Sequence, residues 1–143
     1  MSPLARRFLA LFLSFFIGMV VMVAIEAVGM ASFPAPSPFD PNDPAQLAAV
    51  MDQLPLGAKL SVVLGWILAP LAAGAVAGRV HPEGSPRDAL AVGLGFTIMG
   101  VLNLLSVPHP WWMVIPGVGA YLPAAWAGDR IARRGGYSSD SQT

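Results

Sequence analysis

Cysteine is absent from the 143-residue chain, which excludes disulfides, cysteine-based zinc sites and thiol catalysis. Charge is scarce too. Asp, Glu, Lys and Arg make up 11% of the residues, against roughly 25% in soluble domains. Acidic and basic residues number eight each and cancel, so no bulk field draws the chain to nucleic acid. Also missing are a glycine-rich phosphate loop, a nucleophile elbow and a pair of catalytic carboxylates. Nothing assembles a nucleophile, a base and an oxyanion site. The sequence therefore predicts no enzyme and no cofactor.

Apolar residues, by contrast, reach 55%, with a mean hydropathy of +0.64. A soluble fold of this size cannot hide that much apolar surface from water, whereas a lipid solvent removes the need. Four apolar runs stand out, at about 8–32, 57–78, 89–107 and 111–128. The first three have the length a helix needs to cross roughly 30 Å of hydrocarbon. The fourth is short and holds Pro116 and Pro123. It predicts a kinked helix, with a re-entrant segment as the alternative. The expected fold is all-α: a four-helix membrane bundle forming one domain over 1–134, followed by a disordered tail at 135–143.

Arginine placement predicts the orientation. Arg6 and Arg7 precede the first run, Arg79 and Arg87 flank the turn between the second and third, and Arg130, Arg133 and Arg134 follow the fourth. With four crossings these regions share one side. The positive-inside rule makes that side cytoplasmic, with both termini there. An N-terminal signal peptide ending near Ala27-Val28-Gly29 is the competing reading, but its apolar core would be unusually long.

The external connection between the first two runs carries Pro34, Pro36, Pro38 and Pro41, which favour an extended, stiff chain. Asp43-Pro44-Ala45-Gln46 then reads as a capping box with proline at the first helical position. Leu47, Val50, Met51 and Leu54 follow on one helical face. A short amphipathic helix from about 44 to 54 is expected, lying on the membrane or capping the outer mouth of the bundle. Asp40, Asn42 and Asp43 mimic the start of a calcium loop, but Pro44 and Met51 stand where ligands are needed. Trp111 and Trp112 suit the outer interfacial belt, and Trp126 the inner one.

Small residues mark the helix contacts. Ala69, Ala73 and Ala77 recur every four residues in the second run, and Gly74 and Gly78 form a GxxxG pair. Packing within the bundle is the expected use. Pairing of two copies, or joining a larger membrane complex, is the other.

Ionisable groups in hydrocarbon are costly and so informative. Glu26 lies about 9 Å inside the outer end of the first run. Lys59, Asn103 and His109 all fall in the outer half and can join it in a polar cluster. A lone carboxylate there sheds its charge by taking a proton. A contact with Lys59 or Asn103 would instead fix helix register; a proton or substrate site is the functional alternative. Met19, Met22 and Met30 share the Glu26 face, but no spacing resembles a metal motif. His81, in the basic turn, reads as a solvated loop residue.

The segments Ile25-Glu26-Ala27, Asp40-Pro41-Asn42-Asp43-Pro44, Leu54-Pro55-Leu56-Gly57-Ala58 and Pro108-His109-Pro110-Trp111-Trp112 together resemble a widespread group of small bacterial inner-membrane proteins with four predicted helices and no assigned function. The likeness extends over most of 8–134. It implies a bacterial inner membrane and carries no activity; the residues themselves favour a non-enzymatic accessory or structural subunit. The alternative is a small proton-coupled transporter or channel using Glu26.

Single-cysteine labelling in intact cells tests the orientation. Asp43→Cys should react with a membrane-impermeant reagent from outside, and Glu83→Cys and Ser138→Cys only after the membrane is opened. External labelling of Ser138→Cys would contradict the assignment.

Overall fold

The structure is a computed structural model describing residues 2–35, 38–81 and 85–137, the last three by backbone alone. Pro36, Glu83 and the tail from Ser138 onward lie outside the described residues. Among the described residues the fold is all-α, with no strands. Its helices are α1 (Pro3–Ser32), α2 (Pro44–Gln53), α3 (Leu56–Val80), α4 (Pro86–Ser106), α5 (Trp111–Gly119) and α6 (Tyr121–Tyr137). Three of them, α1, α3 and α4, are long and apolar enough to cross a membrane.

Capping residue and proline together start three helices. The side chain of Ser2 accepts from Ala5 N at 3.2 Å, that of Asp43 from Ala45 N at 2.9 Å, and that of Ser85 from Arg87 N at 3.3 Å. Each cap is followed by proline, whose missing N–H costs nothing in the first turn. The expected capping box at α2 is modified. Gln46 Nε2 donates to Asp43 Oδ2 at 2.8 Å, and Gln46 Oε1 accepts from Asp40 N at 3.0 Å, three residues before the cap. Asp40 also accepts from the backbone and side chain of Asn42. The acidic groups of this segment are thus engaged in a turn and a helix cap.

The fourth apolar run is interrupted at a single residue. Ala120 separates α5 from α6, at φ −85° and ψ −28°. Pro123 has no N–H to offer the Gly119 carbonyl, and its ring crowds that oxygen. Hydrogen bonding resumes on either side, Ala120 N to Pro116 O at 3.1 Å and Ala124 N to Ala120 O at 2.9 Å. Beyond Gly128 the chain stays helical to Tyr137. Gly135, Gly136 and Tyr137 therefore belong to α6, not to the tail expected from composition.

Packing centres on α3, which touches α1, α4, α5 and α6. Ala69 and Ala73 are fully buried, and Ala77 nearly so. A methyl added to Gly18 of α1 would meet Ala73 Cβ at 2.8 Å and the Ala69 carbonyl at 2.9 Å. On another side of α3, a methyl on Gly74 would overlap the Ala125 carbonyl of α6. One on Gly128 of α6 would overlap the Leu71 carbonyl of α3. Small residues therefore bring α3 into near backbone contact with two helices of the same chain. Around this seam Trp66, Phe96, Met113 and Tyr121 fill the core. The Phe96 ring lies 4.8 Å from that of Phe15 and 6.4 Å from that of Tyr121.

The perimeter is apolar. Phe8, Phe12 and Phe16 of α1, Leu105 of α4, Ile115 of α5 and Ile131 of α6 are all exposed. Exposed apolar side chains on so many helices form a surface suited to hydrocarbon, not water.

Gly74→Leu should separate α3 from α6 and lower the thermal stability of the detergent-solubilised protein by about 1–3 kcal/mol. The matched control is Gly119→Ala, since nothing lies within 4 Å of a methyl there; it should stay within about 1 kcal/mol of the parent. Equal melting of Gly74→Leu and the parent would remove the close α3–α6 seam from the account.

Candidate functional site

Among the described residues no hydrogen bond or ion pair joins the four residues expected to cluster. Lys59 is half-buried, and its Nζ donates to the Asp52 carbonyl at 3.3 Å. It thereby ties the start of α3 to the end of α2. The helical turn explains this: Ala58, Ser61 and Val62 face inward toward α1, and Lys59 projects from the next position aside. Asn103 is exposed on the outward face of α4, beside Leu102 and Leu105. His109 lies in the turn before α5, its ring 5.4 Å from that of Trp66. Its Nδ1 donates to the Val107 carbonyl at 2.7 Å. Burial lowers the affinity of this imidazole for a proton, and the hydrogen bond to Val107 partly offsets that. A Glu26–Lys59 or Glu26–Asn103 register contact is therefore not what holds α1 in place.

Glu26 instead borders a cavity of about 450 Å³ that opens to the surroundings. One wall is the end of α1 with Phe33, a second is the start of α3, and α2 forms the roof. The α2 face foreseen from spacing supplies that roof, with Leu47, Val50, Met51 and Leu54 all bordering the space. Yet α2 makes no close backbone approach to any other helix. It covers the cavity through side chains alone, anchored by the Asp43 cap at one end and Lys59 at the other. The bonds from Gln46 and the Ala45 and Gln46 amides hold the Asp43 carboxyl below the usual carboxylate range.

Within the cavity wall Glu26 is the only charged residue described. Ser61, the other polar side chain there, donates to the Ala58 carbonyl at 2.7 Å. Glu26 itself has no hydrogen-bond or ion-pair partner among the described residues. The Tyr121 hydroxyl lies within electrostatic range of its carboxylate. Tyr121 reaches across α4 at Gly100, where any side chain would strike the phenol ring. No group of three His, Asp or Glu side chains among the described residues is close enough to hold a metal ion.

A second polar region lies at the opposite end of the helices, and the sequence reading missed it. Asp88, in the first turn of α4, is 3% exposed. Arg7 Nε donates to its Oδ1 at 2.8 Å, and His81 Nδ1 to its Oδ2 at 2.9 Å. His81 is thus not a free loop residue; it joins the end of α3 to the start of α4. Nearby on α6, Asp129 is 1% exposed, with both carboxylate oxygens 2.9 Å from Arg133 Nε. Gly78 makes room for it, since an added methyl would lie 2.9 Å from Asp129 Oδ1. The i,i+4 spacing of Asp129 and Arg133 was the available signal. Arginine at the end of an apolar run also marks orientation, and that role hides the pairing. Arg130 stacks on Trp126, 4.5 Å from the ring centroid.

Comparisons with family models, with curated proteins and with solved structures return no match. The site must therefore be read from its own geometry.

Asp88→Ala should destabilise the fold by about 1–3 kcal/mol, because His81 and Arg7 lose their shared acceptor. Arg7→Gln should cost less than about 1 kcal/mol, since half of the Arg7 side chain is exposed. Denaturant unfolding of the two variants in the same detergent checks the ranking, and equal losses would refute it.

Proposed function

We propose that the chain is a non-enzymatic, multi-pass protein of the bacterial inner membrane that works as a small proton-coupled binding or transport protein through Glu26. In this reading α5 and α6 together make a fourth crossing, antiparallel to α4. Gly117 packs on Trp66, and Ala125 and Asp129 pack on Gly74 and Gly78 farther along α3, which supports that course. Both termini lie in the cytoplasm, on the side of Arg6, Arg7, Arg79, Arg130 and Arg134. The cavity then opens at the outer face, about 9 Å below the end of α1.

One observation carries the choice of transport over a purely structural subunit: Glu26 borders an accessible cavity and has no hydrogen-bond or ion-pair partner among the described residues. A glutamate that fixed helix register would be bonded across a helix pair. A carboxyl group in a mostly apolar cavity, within reach of the outer solution, is suited to taking up and releasing a proton.

Infrared difference spectroscopy against Glu26→Gln tests this. A carboxyl band assigned to Glu26 should come and go as bulk pH is cycled, while Glu26→Gln keeps the parent's thermal stability to within about 1 kcal/mol. A band that ignores bulk pH, or a Gln variant that fails to assemble, would favour the structural subunit.

A further inference from the structure

We propose that the cavity beneath α2 binds a free amphiphilic cation: a bulky apolar body carrying one positive charge that pairs with Glu26. This rests on reading Glu26 as an exchangeable proton site, and adds the class of ligand.

The lining defines that class. A volume of about 450 Å³ lies within the range of small-molecule sites, roughly 300–1,000 Å³. Its surface is overwhelmingly apolar, so a sugar, a nucleotide or an amino acid would leave most of its polar groups unpaired. Ser61 is already bonded to Ala58 and offers little further. What remains for a ligand is a single carboxylate. An anion would be repelled by the ionised group, and a neutral apolar molecule would gain nothing from its ionisation. A cation satisfies it, and the pair is strengthened by the low dielectric of the site. Phe33 and Phe39 add aromatic faces, which attract cations further. Met30 and Met51, unbranched and polarizable, let the wall adapt to ligands of different outline.

The proton balance is simple. Protonated Glu26 gives up its proton to water as the cation arrives, so charge in the cavity stays neutral before and after binding. No bond other than O–H breaks. Access is provided by α2, the one helix with no close backbone approach to the others. Its lifting would open the cavity sideways at the level where hydrocarbon meets headgroups, the depth at which an amphiphilic cation partitions.

The test is calorimetric titration of the full chain in a non-ionic detergent, with tetraphenylphosphonium and tetraphenylborate as probes of like size and opposite charge. Tetraphenylphosphonium should bind saturably at one per chain and release about one proton, read from buffers of different ionisation heat. Tetraphenylborate should bind at least about tenfold more weakly. Glu26→Gln should weaken the cation at least about tenfold and abolish proton release. Met51→Trp fills the space from α2, which makes no close backbone approach to the other helices, so it should also weaken binding without disturbing their packing. Equal affinity for the two probes, or a Glu26→Gln variant that binds and releases protons like the parent, overturns the proposal. Loss of phosphonium binding on adding phosphatidylethanolamine reassigns the cavity to a lipid ammonium, which also overturns it. If Glu26 titrates in the infrared but no cation binds, the ligand class fails alone. If it does not titrate, the reading beneath it fails.

Discussion

The near contact of α3 with α1 and α6 is the constraint on which the rest of the structure depends. In lipid, helices are not driven together by exclusion of water, so association relies on close packing and polar contacts. Here Gly18 meets Ala69 and Ala73, and Gly74 meets the Ala125 backbone. Once α3 is flanked this closely, its remaining features acquire fixed neighbours. Trp66 is placed against His109 and Gly117, and Gly78 against Asp129. The same seam determines where packing stops. Toward the α2 end the wall residues of α1 and α3 border an open volume rather than each other, and that volume is the Glu26 cavity.

The two ends of the molecule handle charge differently. At the arginine-bearing end, Asp88 and Asp129 are almost wholly buried and each is bonded to an arginine. These contacts join α1 to α4, close the α3–α4 turn through His81, and brace α6 internally. At the other end, Glu26 has the cavity before it and no bonded partner among the described residues. A carboxylate that is saturated by protein serves the fold. One left open to a cavity is available to whatever enters. This contrast within one chain supports the role proposed for Glu26.

Much of the architecture is legible in the chain because the signals are local. Ser2-Pro3, Asp43-Pro44 and Ser85-Pro86 announce helix starts, and hydropathy announces α1, α3 and α4. The apolar stripe of α2 is readable at helical spacing, and so is the small face of α3. The polar cluster was not readable. Depth along each helix put Glu26, Lys59, Asn103 and His109 at one level, but depth says nothing about azimuth. Asn103 turns outward, and Lys59 finds the Asp52 carbonyl instead. Conversely, Asp88 and Asp129 sit just at the edges of the apolar runs, where a composition-based boundary treats them as solvated. Their burial depends on neighbours that only the packed chain supplies: Arg7 from far along the sequence, and the gap at Gly78.

The gap at Gly78 bears on how the protein is made. A helix carrying Asp129 and Arg133, broken at Ala120 and interrupted by Pro116 and Pro123, is a poor candidate to settle in a bilayer by itself. Its buried carboxylate is accommodated where α3 presents a residue without a side chain. Since α3 precedes α6 in the chain, the Gly78 surface is translated before the helix that it receives. Placing Asp129 therefore depends on α3 being in position, which ties the stability of α6 to the packing of the helices before it.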